Sequence, residues 1–155
     1  MIIPPNTQSY SILGECSADC TSTYLPPTGV TIFADLLHTH LVGSGVTLQL
    51  IRRNQQCNVS EALAPVDINL QYDFNYQQFT YLPNEVQVLP GDILLLNCTY
   101  GTQTRTGVTL GGLSTRDEMC LAFPVYYPRT RLSTCASYVN SAAFSPFLTL
   151  SLIHI

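Results

Sequence analysis

The chain has 155 residues, enough for one domain with its own core, and at 46% hydrophobic against 10% charged residues it is too apolar for a disordered segment. Its net charge is −4, and its six basic residues are all Arg and form no patch, which excludes a nucleic-acid binder by electrostatics. No apolar run approaches the roughly 20 residues that cross a bilayer, and six cysteines in so short a chain point to an oxidising compartment, the secretory pathway, a vesicle lumen or the extracellular space.

The start, Met1-Ile2-Ile3-Pro4-Pro5, has neither the basic region nor the long apolar stretch of a secretory signal. A disulfide-rich chain without a signal is expected to be a fragment of a longer secreted protein. Short runs rich in β-branched, aromatic or apolar residues then predict strands at 30–34, 46–52, 79–81, 85–89 and 93–100. Turn chemistry separates them at Pro26-Pro27-Thr28-Gly29, Gly43-Ser44-Gly45, Pro83-Asn84, Pro90-Gly91-Asp92 and Gly111-Gly112. One short helix is expected at 133–143. Regular short strands with turn punctuation predict an all-β fold, an antiparallel β-sandwich. The sequons at Asn58 and Asn97 fit a secreted glycoprotein, with Asn58, in a polar turn-like stretch, the better acceptor. The last six residues, 150–155, match the translation of a common sequencing-library transposase adapter and are expected to be read-through, so His154 is discounted as a ligand and the domain is placed at 1–149.

Chemistry is carried first by His38-Thr39-His40, in a stretch (33–42) that reads as a strand. Residues i and i+2 of a strand share a face, so both imidazoles converge on one side with Leu36, while Leu37, Thr39 and Leu41 point away. Taken alone, two histidines at this spacing are a weak signal. Met119 is the second piece: on a strand it shares a face with Leu121 and Phe123, with Cys120 opposite. A lone Met is ordinarily core filler, yet two imidazoles and a thioether make a donor set suited to copper, above all Cu(I). Apart from Met1, Met119 is the chain's one methionine.

The chain resembles the copper type II, ascorbate-dependent monooxygenases, closest to their dopamine and tyramine β-hydroxylase branch. The matching stretches are Ile3-Pro4-Pro5, Gly14-Glu15-Cys16 with Cys20, Leu25-Pro26-Pro27-Thr28-Gly29, Ile32-Phe33-Ala34 and Leu37-His38-Thr39-His40-Leu41, then Pro90-Gly91-Asp92, Cys98-Thr99-Tyr100, Gly111-Gly112, Glu118-Met119-Cys120 and Tyr126-Tyr127-Pro128. The order is kept from Met1 to about residue 148. The resemblance implies the second of two jelly-roll β-sandwich domains, with His38, His40 and Met119 as catalytic ligands of the copper that meets dioxygen and substrate. It implies ascorbate as external reductant, and a partner: an N-terminal copper domain of the same protein, whose three histidines hold the second copper. It also implies the disulfides Cys98–Cys120 and Cys16–Cys135 and a partner for Cys20 beyond the fragment; Cys57 has no recognised counterpart and is left either free or paired with Cys20.

Departures from the family pattern bear on substrate. The peptide-amidating branch has Arg, Asn and Tyr where this chain has Leu36, Leu121 and Phe123. These three are expected to wall the substrate pocket with apolar surface that cannot pair a carboxylate, which favours a small aromatic, amine-like substrate. The β-hydroxylase branch has Tyr at the position of Phe123. The expected activity is hydroxylation of a C–H bond with dioxygen. The competing reading is a non-catalytic secreted copper-binding or interaction domain of the same fold. Oxygen insertion needs two electrons from outside the substrate and one copper cycles through one, so the fragment alone is expected to be inactive.

Overall fold

A computed structural model describes residues 1–54 and 59–137. Cys57, Asn58, His154 and the tail 150–155 lie outside the described residues. So does 138–143, the larger part of the expected helix, and 133–137 is not helical.

In chain order the elements are β1 (Ile2–Ile3), β2 (Tyr10–Cys16), helix α1 (Ala18–Tyr24), β3 (Val30–Asp35), β4 (Leu37–His38), β5 (Gly43–Asn54), β6 (Val59–Ala62) and β7 (Asp67–Asn69). A single 3-10 turn, Phe74–Tyr76, leads to β8 (Thr80–Val88), β9 (Ile93–Tyr100), β10 (Thr109–Leu110), β11 (Leu121–Ala122) and β12 (Val125–Tyr127). Every strand pairing among the described residues is antiparallel. The fold is all-β.

Two sheets carry the core. One runs β2-β9-β5-β6, with β7 also on β5; the other runs β12-β3-β8. Inward side chains alternate as a strand requires. Val46, Leu48 and Leu50 of β5 and Cys98 and Tyr100 of β9 meet Val30 and Ile32 of β3 and Val88 of β8 in one buried cluster. Each fully buried aliphatic side chain there contributes about 1.5–3 kcal/mol of transfer free energy. Two minor pairs, β1 with β10 and β4 with β11, complete the architecture.

Some elements differ from the sequence reading. Pro83-Asn84 is no turn: it lies inside β8, where the register to β3 jumps from Ile32↔Val86 to Ala34↔Tyr81. Proline has no N–H to donate, and β8 is the edge of its sheet, so an unpaired bulge accommodates it. Gly43-Ser44-Gly45 begins β5 instead of making a turn, and the reversal comes just before it, at Leu41 and Val42. Helix α1 was not expected; the Ser17 side chain caps it, accepting from the Cys20 amide at 3.3 Å. Its buried Thr21 hydroxyl donates to the Asp92 carbonyl at 2.6 Å, docking the helix on the Pro90-Gly91-Asp92 turn. That turn is tied to β5 by a two-pronged ion pair in which Arg52 Nε donates to Asp92 Oδ1 at 2.9 Å and Nη2 to Oδ2 at 2.7 Å. Disulfides join Cys16 to Cys135 and Cys98 to Cys120.

Candidate metal centre

The stretch 33–42 does not form the single strand expected of it. β3 stops at Asp35, whose carboxylate takes the Leu36 amide at 2.8 Å in place of a ladder partner. The two-residue β4 follows and pairs with β11, with His38 opposite Leu121 and Leu37 opposite Ala122. Past His38 the backbone leaves the sheet, and side chains take up its N–H groups. The Thr39 amide donates to the buried Tyr72 hydroxyl at 3.1 Å, and that hydroxyl donates back to the Thr39 carbonyl at 2.9 Å. The His40 and Val42 amides donate to the two carboxylate oxygens of Glu118, each at 2.8 Å. Gly43 closes the turn through its amide to the His40 carbonyl at 3.3 Å. No other residue fits there, because a Cβ would lie 1.7 Å from the Thr39 hydroxyl.

The alternation of faces survives as far as the histidines. Leu37 and Thr39 are buried beneath them, but Leu41, expected on the same side, is 53% exposed because the turn has begun. The imidazoles of His38 and His40 stand nearly perpendicular, at 87°, with centroids 5.1 Å apart. Nδ1 of His38 bonds Gln77 Oε1, and Nδ1 of His40 bonds the Asp117 carbonyl at 3.0 Å. A carbonyl oxygen only accepts, so each Nδ1 is the donor, and the neutral form of each ring then has its lone pair on Nε2, the tautomer a metal ligand needs.

Met119 arrives on the facing segment. Its two preceding residues meet His40 directly, the Asp117 carbonyl at Nδ1 and the Glu118 carboxylate at the amide, and two residues on Leu121 pairs with His38, so Met119 lies on the segment that faces both histidines. The buried Tyr100 hydroxyl donates to the Met119 carbonyl at 2.7 Å, and the next residue, Cys120, is bonded to Cys98 of β9. Burial, with the Glu118 carboxyl beside it, holds the Tyr100 phenol far above its ordinary range, so it stays a donor. Two nitrogens with free lone pairs and a thioether on the segment across from them fit copper in either of its biological oxidation states.

The three expected pocket residues gather at His38. Leu121 is its cross-strand neighbour, the Phe123 amide donates to the Leu36 carbonyl at 3.0 Å, and the Phe123 ring lies 6.4 Å from the His38 ring. Phe74, which the sequence reading missed, lies 6.4 Å from His38 and 6.0 Å from His40. Glu118, Tyr100, Tyr72 and Gln77 were missed as well. Elsewhere, the sulfurs of Cys16, Cys20 and Cys135 lie within 4.8 Å of one another. Cys16 and Cys135 are oxidised to each other there, so the group offers no set of thiolates to a metal.

Residues 1–147 match the family model for the copper type II ascorbate-dependent monooxygenase, C-terminal domain. Dopamine beta-hydroxylase of the dog is 38% identical over 150 residues, covering 97% of this chain and 23% of that protein. The human dopamine beta-hydroxylase is 36% identical over the same length and shares. DBH-like monooxygenase protein 1 of the mouse is 43% identical over 138 residues, 87% of this chain and 22% of that protein. The chain thus spans about a quarter of the length of these relatives.

Proposed function

This chain belongs to the copper type II ascorbate-dependent monooxygenase family, as its C-terminal domain, and on that footing we propose that His38, His40 and Met119 hold one copper ion at which a small aromatic, amine-like substrate is hydroxylated. The observation that carries the reading is the pair of imidazoles with both Nδ1 atoms engaged and, among the described residues, neither Nε2 bonded, facing the segment of the one internal methionine. Copper, when bound, supplies the one-electron redox chemistry that activates dioxygen. The protein's own part is to fix the ligands and to present Leu36, Leu121, Phe123 and Phe74 as an apolar, aromatic wall. That wall has no cation for a substrate carboxylate, and the relatives named for dopamine act on an aromatic amine. Jelly-roll topology, a location in a vesicle lumen or outside the cell, and a domain boundary near residue 149 with an adapter-derived tail belong to the same reading. So does an N-terminal domain holding the second copper, with ascorbate as reductant.

The test uses the full-length protein that carries this domain, loaded with copper and supplied with ascorbate, labelled dioxygen and tyramine or dopamine. Label is expected in the hydroxylated product, and His40→Ala is expected to lower incorporation by about 100-fold or more. Copper bound without incorporation would sink the enzyme reading in favour of a copper-binding domain.

A further inference from the structure

Glu118 is 1% exposed, and among the described residues it forms no ion pair. Burying a carboxyl group is costly unless its oxygens are satisfied. Here the side chain accepts from the amides of His40 and Val42, 78 and 76 residues away in sequence. Its own main chain is pinned on the other side: the Glu118 amide donates to the Leu110 carbonyl at 2.9 Å, and its carbonyl accepts from Gly112 at 3.1 Å. One residue on, Tyr100 holds the Met119 carbonyl; one residue back, the Asp117 carbonyl holds His40 Nδ1. Three consecutive residues therefore bind the histidine turn or carry the facing thioether.

We infer that Glu118 is a positioning residue for the copper centre, setting the distance and angle between the histidine turn and Met119; this rests on the copper reading above. Two amide donors two residues apart need two acceptor oxygens at a fixed spacing, which a carboxylate supplies and a carboxamide does not. Glutamine is nearly the same shape but would turn an N–H against a backbone N–H. Both carboxylate oxygens are taken up by the His40 and Val42 amides, so its effect runs through the ligands.

The experiment compares wild type, Glu118→Gln and Arg52→Ala in the full-length protein loaded with Cu(I). Arg52→Ala is the stability control, because its ion pair is remote from the histidines. The readouts are the copper–sulfur shell in X-ray absorption, Cu(I) affinity by chelator competition, and Tm. Glu118→Gln is expected to weaken or lose the sulfur shell and to bind Cu(I) about 10–100-fold more weakly, while Arg52→Ala lowers Tm and leaves both copper readouts at wild type. A wild-type sulfur shell and affinity in Glu118→Gln overturns the positioning role alone. A wild-type protein with no sulfur shell overturns the copper reading, and this inference with it. Should Glu118→Gln fail to fold, Glu118→Asp keeps both oxygens but withdraws them by one methylene; it is expected to shift the same two copper readouts, and an unchanged sulfur shell and affinity there is equally fatal.

Discussion

Asp35 ends β3 with its residue wholly buried; one carboxylate oxygen takes the Leu36 amide, and the other, Oδ2, has no hydrogen-bond partner among the described residues. Burial, with Asp67 adding to it, pushes this carboxyl from 3.8 up to about 6. Below about pH 4 the group is protonated in both states and the fold has its full stability. As pH rises toward 6 the unfolded chain releases the proton and the folded one resists, so stability falls and then levels off. Asp35→Asn should remove that dependence. The stability of the variant relative to wild type should be more favourable at pH 7.5 than at pH 4 by about 2–3 kcal/mol, measured by denaturant melts at both pH values. A gap that does not change with pH would show that Asp35 ionises freely in the fold. Asn97 makes a second residue-scale prediction. It stands within β9, paired to Leu13 on one side and Thr47 on the other, with Oδ1 buried. With a paired strand on either side and its amide oxygen buried, Asn97 is a poor acceptor once the sheet has formed, so glycopeptide mapping of the secreted protein should find it bare.

At the scale of elements, the turn between β8 and β9 hangs on Arg52 and Asp92. Asp92 is almost fully buried, and its carboxylate also takes the Leu89 amide at 2.7 Å. Arg52→Ala leaves a buried carboxyl without its guanidinium and is expected to cost about 2–3 kcal/mol, read as a fall in the denaturant midpoint. The Cys98–Cys120 bridge closes a loop of 22 residues that carries β10 and the Glu118–Met119 segment. Replacing both cysteines by Ser should cost about 2–5 kcal/mol and, more tellingly, should weaken copper binding, because Met119 loses its anchor to the core sheet. An unaltered copper affinity in that variant would show that hydrogen bonds alone hold the segment. These elements also mark where the sequence could and could not be read. β5 and β9 were legible because alternation and β-branching act within a few residues of each other. The histidine pair was legible because its spacing is local. Glu118, Tyr72 and Gln77 were not, because each meets its partner 33 to 78 residues away in the chain. The broken strand at Leu36 was hidden for the same reason: the groups that satisfy the freed amides beyond it come from Tyr72 and Glu118. The edge-strand proline was misread because Pro-Asn carries turn chemistry wherever it occurs, and only the sheet order shows that β8 has a free side.

At the scale of the whole molecule, the described residues present a single histidine pair, and the reaction proposed needs two electrons from outside the substrate. This domain alone, copper-loaded and given ascorbate, is expected to yield uncoupled peroxide and no stoichiometric hydroxylation; catalytic uptake of labelled oxygen by residues 1–148 in isolation would show that the second copper domain is dispensable. The bridge from Cys16 to Cys135, 119 residues apart, has a consequence of another kind. It turns nearly the entire sandwich into a covalent ring, so a protease that nicks any one exposed loop between those cysteines opens the ring without releasing a piece. Such a nicked protein should migrate as one species on a gel run without reductant and fall into two only when reductant is added. A domain cut once in this way would keep its histidine turn and its methionine segment on the same molecule.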